Sequence, residues 1–215
     1  MATVSLSKGQ KVSLTKEAPG LNKVIVGLGW DPVGETSTKT TKSPGFFGRI
    51  FGAKPVEVEH ASSGIDIDCD AFAVAVDKAG KVIDTLYFGK KNLFHDSLVH
   101  SGDNLTGEGE GDDEQIVVKL NELPSNVERI IVAVNIYKGR ERGQRFGNIE
   151  NAFIHIVNTD GNKEMCKYEL SDNSEYADVV TVHFGDLLRS DNGWSFNAVG
   201  EPSRANSISE FVQSI

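Results

Sequence analysis

Asp70-Ala71-Phe72-Ala73-Val74-Ala75-Val76-Asp77-Lys78-Ala79-Gly80-Lys81-Val82-Ile83-Asp84-Thr85-Leu86-Tyr87-Phe88 decides the fold. An apolar run from Ala71 to Val76 is too short for a stable helix, and Lys78-Ala79-Gly80 supplies turn residues. Val82 to Phe88 then reads as the returning strand of a hairpin. The same signature recurs along the chain, in Val24 to Trp30, Ile116 to Leu120, Ile130 to Tyr137, Phe153 to Val157, Val179 to Phe184 and Trp194 to Val199. Many short strands rich in Val, Ile and aromatic residues predict an all-β chain. Because some runs are apolar on both faces and others on one, the expected form is a β-sandwich of two mostly antiparallel sheets. One helix signal stands near the end, where Ser207 and Glu210 have capping-box spacing ahead of Phe211, Val212 and Ile215.

The opening stretch also has a counterpart. Asp70 to Asp77 aligns without gaps to Asn151-Ala152-Phe153-Ile154-His155-Ile156-Val157-Asn158, and Gly80 then falls on Gly161. Lys23 to Trp30 resembles Arg129 to Ile136, and Asp113 to Leu120 loosely resembles Asp178 to Gly185. The reading is an internal duplication, two units sharing one core about a pseudo-twofold axis, within a single domain over 1–215. A loop insertion at about 32–63 interrupts the first unit. In it lies Phe46-Phe47-Gly48-Arg49-Ile50-Phe51, flanked by Lys39, Lys42 and Lys54. Phe46, Phe47, Ile50 and Phe51 read either as a loop tip folded back on the sandwich or as a patch for a partner or a membrane.

Charge narrows the function. With 31 acids against 22 bases the 215-residue chain carries −9, and it shows no basic stripe, so no nucleic-acid partner is expected. Cations are the natural guests. The start lacks a signal-peptide core, no run is long enough to span a membrane, and the two cysteines, Cys69 and Cys166, have no metal or redox spacing. A cytoplasmic protein is expected, with peripheral attachment at the inner face of the membrane as the variant.

The most informative segment is Ser101-Gly102-Asp103-Asn104-Leu105-Thr106-Gly107-Glu108-Gly109-Glu110-Gly111-Asp112-Asp113-Glu114. It holds six carboxylates, four glycines and no base. Such a run repels itself unless a cation sits within it. Calcium takes six to eight oxygen ligands, mixing carboxylates and carbonyls, and this segment offers both. Asp31 follows Trp30 at a strand end, while Asp66, Asp68 and Asp70 alternate ahead of an apolar strand and so share one face. EF-hand spacing fails, because Leu105 and Gly107 fall on ligand positions counted from Asp103. A composite site of several loops, holding two calcium ions, is expected instead. The expected metal-ligating set is Asp31, Asp66, Asp68, Asp103, Asn104, Thr106, Glu108, Glu110, Asp112, Asp113 and Glu114.

Other chemistry finds less support. His60, His95, His100, His155 and His183 show no ligand spacing. His155 aligns with Val74 and reads as a core histidine with a satisfied ring. His100 reads as structural, or as orienting a carboxylate. No Gly-x-Ser-x-Gly elbow and no phosphate loop occurs, so no catalytic residue is expected. The alternative is a metal-dependent protein that binds or hydrolyses a nucleotide or phosphate.

Val4 to Leu14, Val24 to Asp31, Asp66 and Asp68 before Ala71-Phe72, and His100 to Glu114 together resemble the TerD family of tellurium-resistance and stress proteins. So do Gln144 to Gly147, Asn151 to Phe153 and Gly193 to Gly200. The resemblance implies a calcium-binding β-sandwich acting in tellurite, oxidative and phage-type stress as a non-catalytic scaffold or adaptor. It implies other Ter-type stress proteins, or the inner membrane surface, as partners. Pro32 to Ser63 departs from the family pattern.

Overall fold

The computed structural model describes residues 3–33, 67–101, 112–170 and 174–215. The insertion at about 32–63, with Phe46, Phe47, Ile50 and Phe51, lies outside the described residues except for its first two positions.

Among the described residues, thirteen strands and three short α-helices follow one another as β1 (Val4–Leu6), β2 (Lys11–Ser13), α1 (Leu14–Glu17), β3 (Lys23–Pro32), β4 (Cys69–Val76), β5 (Val82–Leu86), β6 (Asn92–Leu93), β7 (Leu98–His100), β8 (Glu114–Lys119), β9 (Arg129–Ile136), α2 (Gly139–Arg142), β10 (Ile149–Asn158), β11 (Lys163–Glu169), β12 (Thr181–Ser190), β13 (Gly193–Ser203) and α3 (Ile208–Gln213). They form two sheets, ordered β1-β11-β10-β3-β8-β7-β6 and β2-β13-β12-β9-β4-β5. Pairing is antiparallel throughout except for β1, which runs parallel to β11. The expected sandwich is therefore present.

The internal repeat reappears as strand order. In one sheet β11-β10-β3-β8 are neighbours; in the other, their sequence counterparts β5-β4-β9-β12 occur in the same order. Each sheet takes two strands from each unit, so β3 pairs with β10 and β4 with β9. Neither unit completes a sheet by itself. The register differs by two residues: His155 faces Gly27, while Val74, the counterpart of His155, faces Ile131 rather than Ala133. A register shift between Glu150 and Phe153 in β10 accompanies the offset.

β4 explains why its sequence is apolar without alternation. Ala71, Ala73 and Ala75 enter the core between the sheets. Phe72, Val74 and Val76 face outward but are covered by the C-terminal segment, forming a second cluster with Ile131, Ala133, Ala205 and Phe211. The Phe72 and Phe211 rings meet edge to face at 5.2 Å. Helix α3 is fixed there by the cap legible in the sequence. Ser207 Oγ accepts from Glu210 N at 3.2 Å, and Glu210 reaches back to Asn206 N at 2.8 Å, one residue earlier than a standard capping box. Among the described residues, no helix is long and apolar enough to cross a membrane.

Candidate cation site at the end of the sandwich

β3 ends, β8 begins and β4 begins at the same end of the molecule, and this brings together carboxylates far apart in sequence. Leu28 faces Glu114 across β3 and β8, Asp31 faces Glu150 across β3 and β10, and Cys69 faces Ile136 across β4 and β9. The three consecutive acids Asp112, Asp113 and Glu114 enter this region and diverge in three directions.

Glu114 turns inward between the sheets, where its side chain is fully buried. β5 pairs only with Ala73 to Val76 of β4, so among the described residues the peptide of Ala71 has no strand neighbour on that side. Glu114 Oε2 accepts a short hydrogen bond from Ala71 N, and His100 Nε2 donates to Ala71 O at 2.9 Å. The two side chains lie 3.7 Å apart. Two residues of one sheet thus satisfy both peptide groups of a residue in the other, which a dry interior requires. His100 has the structural role expected of it.

Asp113 stays at the strand end. Its backbone N donates to Leu28 O at 2.8 Å, and its Oδ2 accepts from Trp30 N at 2.8 Å. Asp31 accepts from Asn151 Nδ2 at 2.8 Å. Asn151 has a left-handed backbone, φ +54°, within the register shift of β10. Asp68 lies 3.4 Å from the Arg142 guanidinium, and its carbonyl accepts from Tyr137 N. Asp70, 3 % exposed, lies in β4 beside it.

Cys69 registers how closely these charges gather. Its buried thiol is pushed well above the usual range, first by burial and then by Glu114, Asp113, Asp70 and Asp68. Carboxylates at these strand ends offer oxygen donors of the kind a hard ion such as calcium takes. A thiol so suppressed is a poor soft-metal ligand. Among the described residues, no three Asp, Glu, His or Cys side chains approach closely enough to hold an ion by themselves. A complete coordination shell therefore needs further oxygens. Asp66, Asp103, Asn104, Thr106, Glu108 and Glu110, the rest of the expected set, lie outside the described residues.

Asp112 departs from the group. It folds onto the outer face of its sheet, over Gly27. Oδ1 lies 2.8 Å from His155 Nε2, and Oδ2 accepts from Gln115 Nε2 at 2.7 Å. His155 Nδ1 meets Glu164 at 2.5 Å. Burial alone would lower the His155 pKa, but hydrogen bonds and charge from Asp112 and Glu164 outweigh it and raise it. The expectation of a core histidine is corrected here. Nδ1 bonds Glu164, and the ring stands on the outer face between two carboxylates, because Phe153 and His155 alternate with the inward Ile154 and Ile156. Nothing in the local sequence joins His155 to Asp112; their meeting depends on the β3–β10 pairing.

A profile of the TerD domain matches residues 1–214. The chain is 39 % identical over 212 residues to stress response protein SCP2 of Bacillus subtilis (strain 168), covering 97 % of each chain. It is 40 % identical over 212 residues to tellurium resistance protein TerZ of Serratia marcescens, covering 99 % of this chain and 96 % of that one. Among solved structures, a homologue of telluride resistance protein (TerD) from Streptomyces coelicolor A3(2) superposes with a TM-score of 0.62 at 19 % identity. That match covers 90 % of this chain and 96 % of the other and supports the fold alone. On the whole-chain profile and these full-length relatives, the protein belongs to the TerD family of tellurium-resistance and general stress-response proteins.

Proposed function

We propose that the chain is a calcium-binding stress-response scaffold or adaptor without catalytic activity. In this reading Asp31, Asp68, Asp113 and Glu114 frame the site, and the acids of the run beginning at Asp103, together with Asp66, complete two adjoining calcium ions. Calcium supplies the positive charge that lets these carboxylates share one end of the sandwich. Asp113 Oδ2 accepts from Trp30 N and Asp31 Oδ2 from Asn151 Nδ2, and Glu114 fixes the start of β8 to β4. Cytoplasmic location, with recruitment to other Ter-type stress proteins or to the inner membrane surface, belongs to the same proposal.

The observation that carries it is the convergence of Asp31, Asp68, Asp113 and Glu114 where β3 ends and β4 and β8 begin, with Asp113 on Trp30 N and Glu114 on Ala71 N. Redox chemistry draws no support from the thiols. Both are buried, and Cys166 is pushed up to about 12 by burial and by Glu164.

Calorimetric titration of calcium into chelator-stripped protein, with magnesium as competitor and thermal unfolding recorded in parallel, tests the proposal. A ligand bound only by the native state stabilises it by roughly 2.7 kcal/mol at a hundredfold excess over Kd. Saturable uptake with that stabilisation, weakened by Asp68→Ala or Asp113→Ala, is expected. Absence of both heat and stabilisation would remove calcium from the account.

A further inference from the structure

Across the outer face of the first sheet runs a chain of side chains, Glu164–His155–Asp112–Gln115. Its members stand on β11, β10, the entry to β8, and β8 itself. β3 runs beneath the middle of it and contributes Gly27, which faces His155 on one side and Gln115 on the other. A Cβ on Gly27 would lie 2.3 Å from both Asp112 Oδ2 and His155 Nε2. The missing side chain is the space in which the Asp112–His155 pair sits.

Both oxygens of Asp112 are already engaged, and its side chain is only 10 % exposed. The next two acids turn elsewhere, Asp113 to Trp30 N and Glu114 between the sheets to Ala71 N. Both ring nitrogens of His155 lie against carboxylates, Nε2 2.8 Å from Asp112 Oδ1 and Nδ1 2.5 Å from Glu164. The His155 and Gln115 contacts compensate the burial of Asp112, which would otherwise be costly.

We infer that Asp112 is a tether and not a cation ligand, and that His155 is the positioning residue that holds it. The latch clips the exit of the acidic run to the outer face of the sheet, over Gly27. It thereby fixes where the next two acids go: Asp113 to Trp30 N and Glu114 to Ala71 N. The part that concerns affinity rests on the calcium reading above; the latch itself does not. The inference removes Asp112 from the expected ligand set and assigns the outer face of β10, distant in sequence, to loop placement.

The test uses the full chain and four forms: wild type, His155→Gln, Asp112→Asn, and the double variant in which the two introduced amides can bond one another and Gln115. Calcium affinity is read by calorimetry. Hydrogen exchange is read at the amides of Asp113 and Gln115, which donate to Leu28 O and Ser101 Oγ. Each single variant should exchange faster at these amides and bind calcium about 10–100-fold more weakly, as loss of an orienting contact behind a ligand does. The double variant should recover most of both losses. If His155→Gln leaves affinity unchanged while Asp112→Asn and the double variant abolish it alike, Asp112 is a ligand and the inference is overturned. If wild type takes up no calcium, the calcium proposal alone fails, and exchange decides the latch: unchanged rates in both single variants would overturn it.

Discussion

Replacing Glu114 by alanine should destabilise the fold more than replacing any other acid of the run. The side chain is fully buried and accepts from Ala71 N at a point of β4 that β9 covers on one side and the β5 pairing does not reach on the other. Truncation leaves that N–H without an acceptor, which costs about 1–3 kcal/mol in a dry interior. It also opens a void of the kind that makes large-to-small core changes cost about 2–5 kcal/mol. Removing a buried carboxylate returns part of its desolvation penalty, which offsets some of this. The net expectation is about 3 kcal/mol, or a fall in Tm of roughly 6–12 °C for a domain of this size. Glu114→Gln keeps an oxygen acceptor of nearly the same shape and should lose about 1 kcal/mol. Urea unfolding followed by tryptophan fluorescence gives both values, recorded with chelator present so that cation binding contributes nothing. An alanine variant within about 0.5 kcal/mol of wild type would refute the reasoning, because surface changes fall in that range. It would mean that the Ala71 peptide finds another partner and that Glu114 does not join the sheets.

Three further outcomes are expected. Phe94, His95 and Asp96 are successive residues with left-handed backbone at φ +53°, +55° and +62°, and His95 is exposed, so His95→Gly should stabilise the protein by about 1 kcal/mol in chemical unfolding; a loss of stability would contradict it. The His155 pKa is raised in the fold, so its contribution is fully present below the ordinary imidazole value and is lost as pH rises through the raised one. The Tm difference between wild type and His155→Gln should shrink as pH rises above the ordinary imidazole value of about 6.5. The groups facing that ring are Asp112, Glu164 and, opposite it on β11, Lys167, which pairs with Glu169 at 2.6 Å; a constant difference would exclude the linkage. Both thiols should resist an aromatic disulfide reagent in the native state at neutral pH and react on unfolding, since both are buried and raised; rapid native labelling would refute their inertness.

The strands that the sequence revealed are those whose environment is simple. β4 and β9 are covered on both faces and read as unbroken apolar runs. The strands it did not reveal, β1, β2, β6 and β7, are two or three residues long and owe their conformation to a neighbour. β11, Lys163–Glu169, carries Lys and Glu on its exposed positions and only Met165, Cys166 and Tyr168 as buried ones, too sparse a signal beside its partner β10. The duplication was legible because matching residues occupy matching strands. Its exchange of strands between sheets was not, because pairing partners leave no local mark on either strand.

The candidate site divides along the same line. That Asp31, Asp68, Asp113 and Glu114 belong to one end of the molecule followed from their places at strand ends. What each does there did not follow, because consecutive acids look alike in sequence and differ only in the partners the fold provides. Asp112, Asp113 and Glu114 are adjacent, yet one meets the His155 ring on the outer face, one the β3 backbone and one a peptide of the opposite sheet. Glycine is the part of this arrangement that a sequence could have disclosed. Gly27 interrupts a run of Val24, Ile25, Val26 and Leu28 whose other members are all apolar, and in a strand such a glycine signals close approach of another group. Here the approaching group is a carboxylate with its counter-ion. A strand glycine flanked by buried residues therefore points to a polar contact laid across the sheet, and the acid and base that fill it can be sought among residues brought alongside by strand pairing.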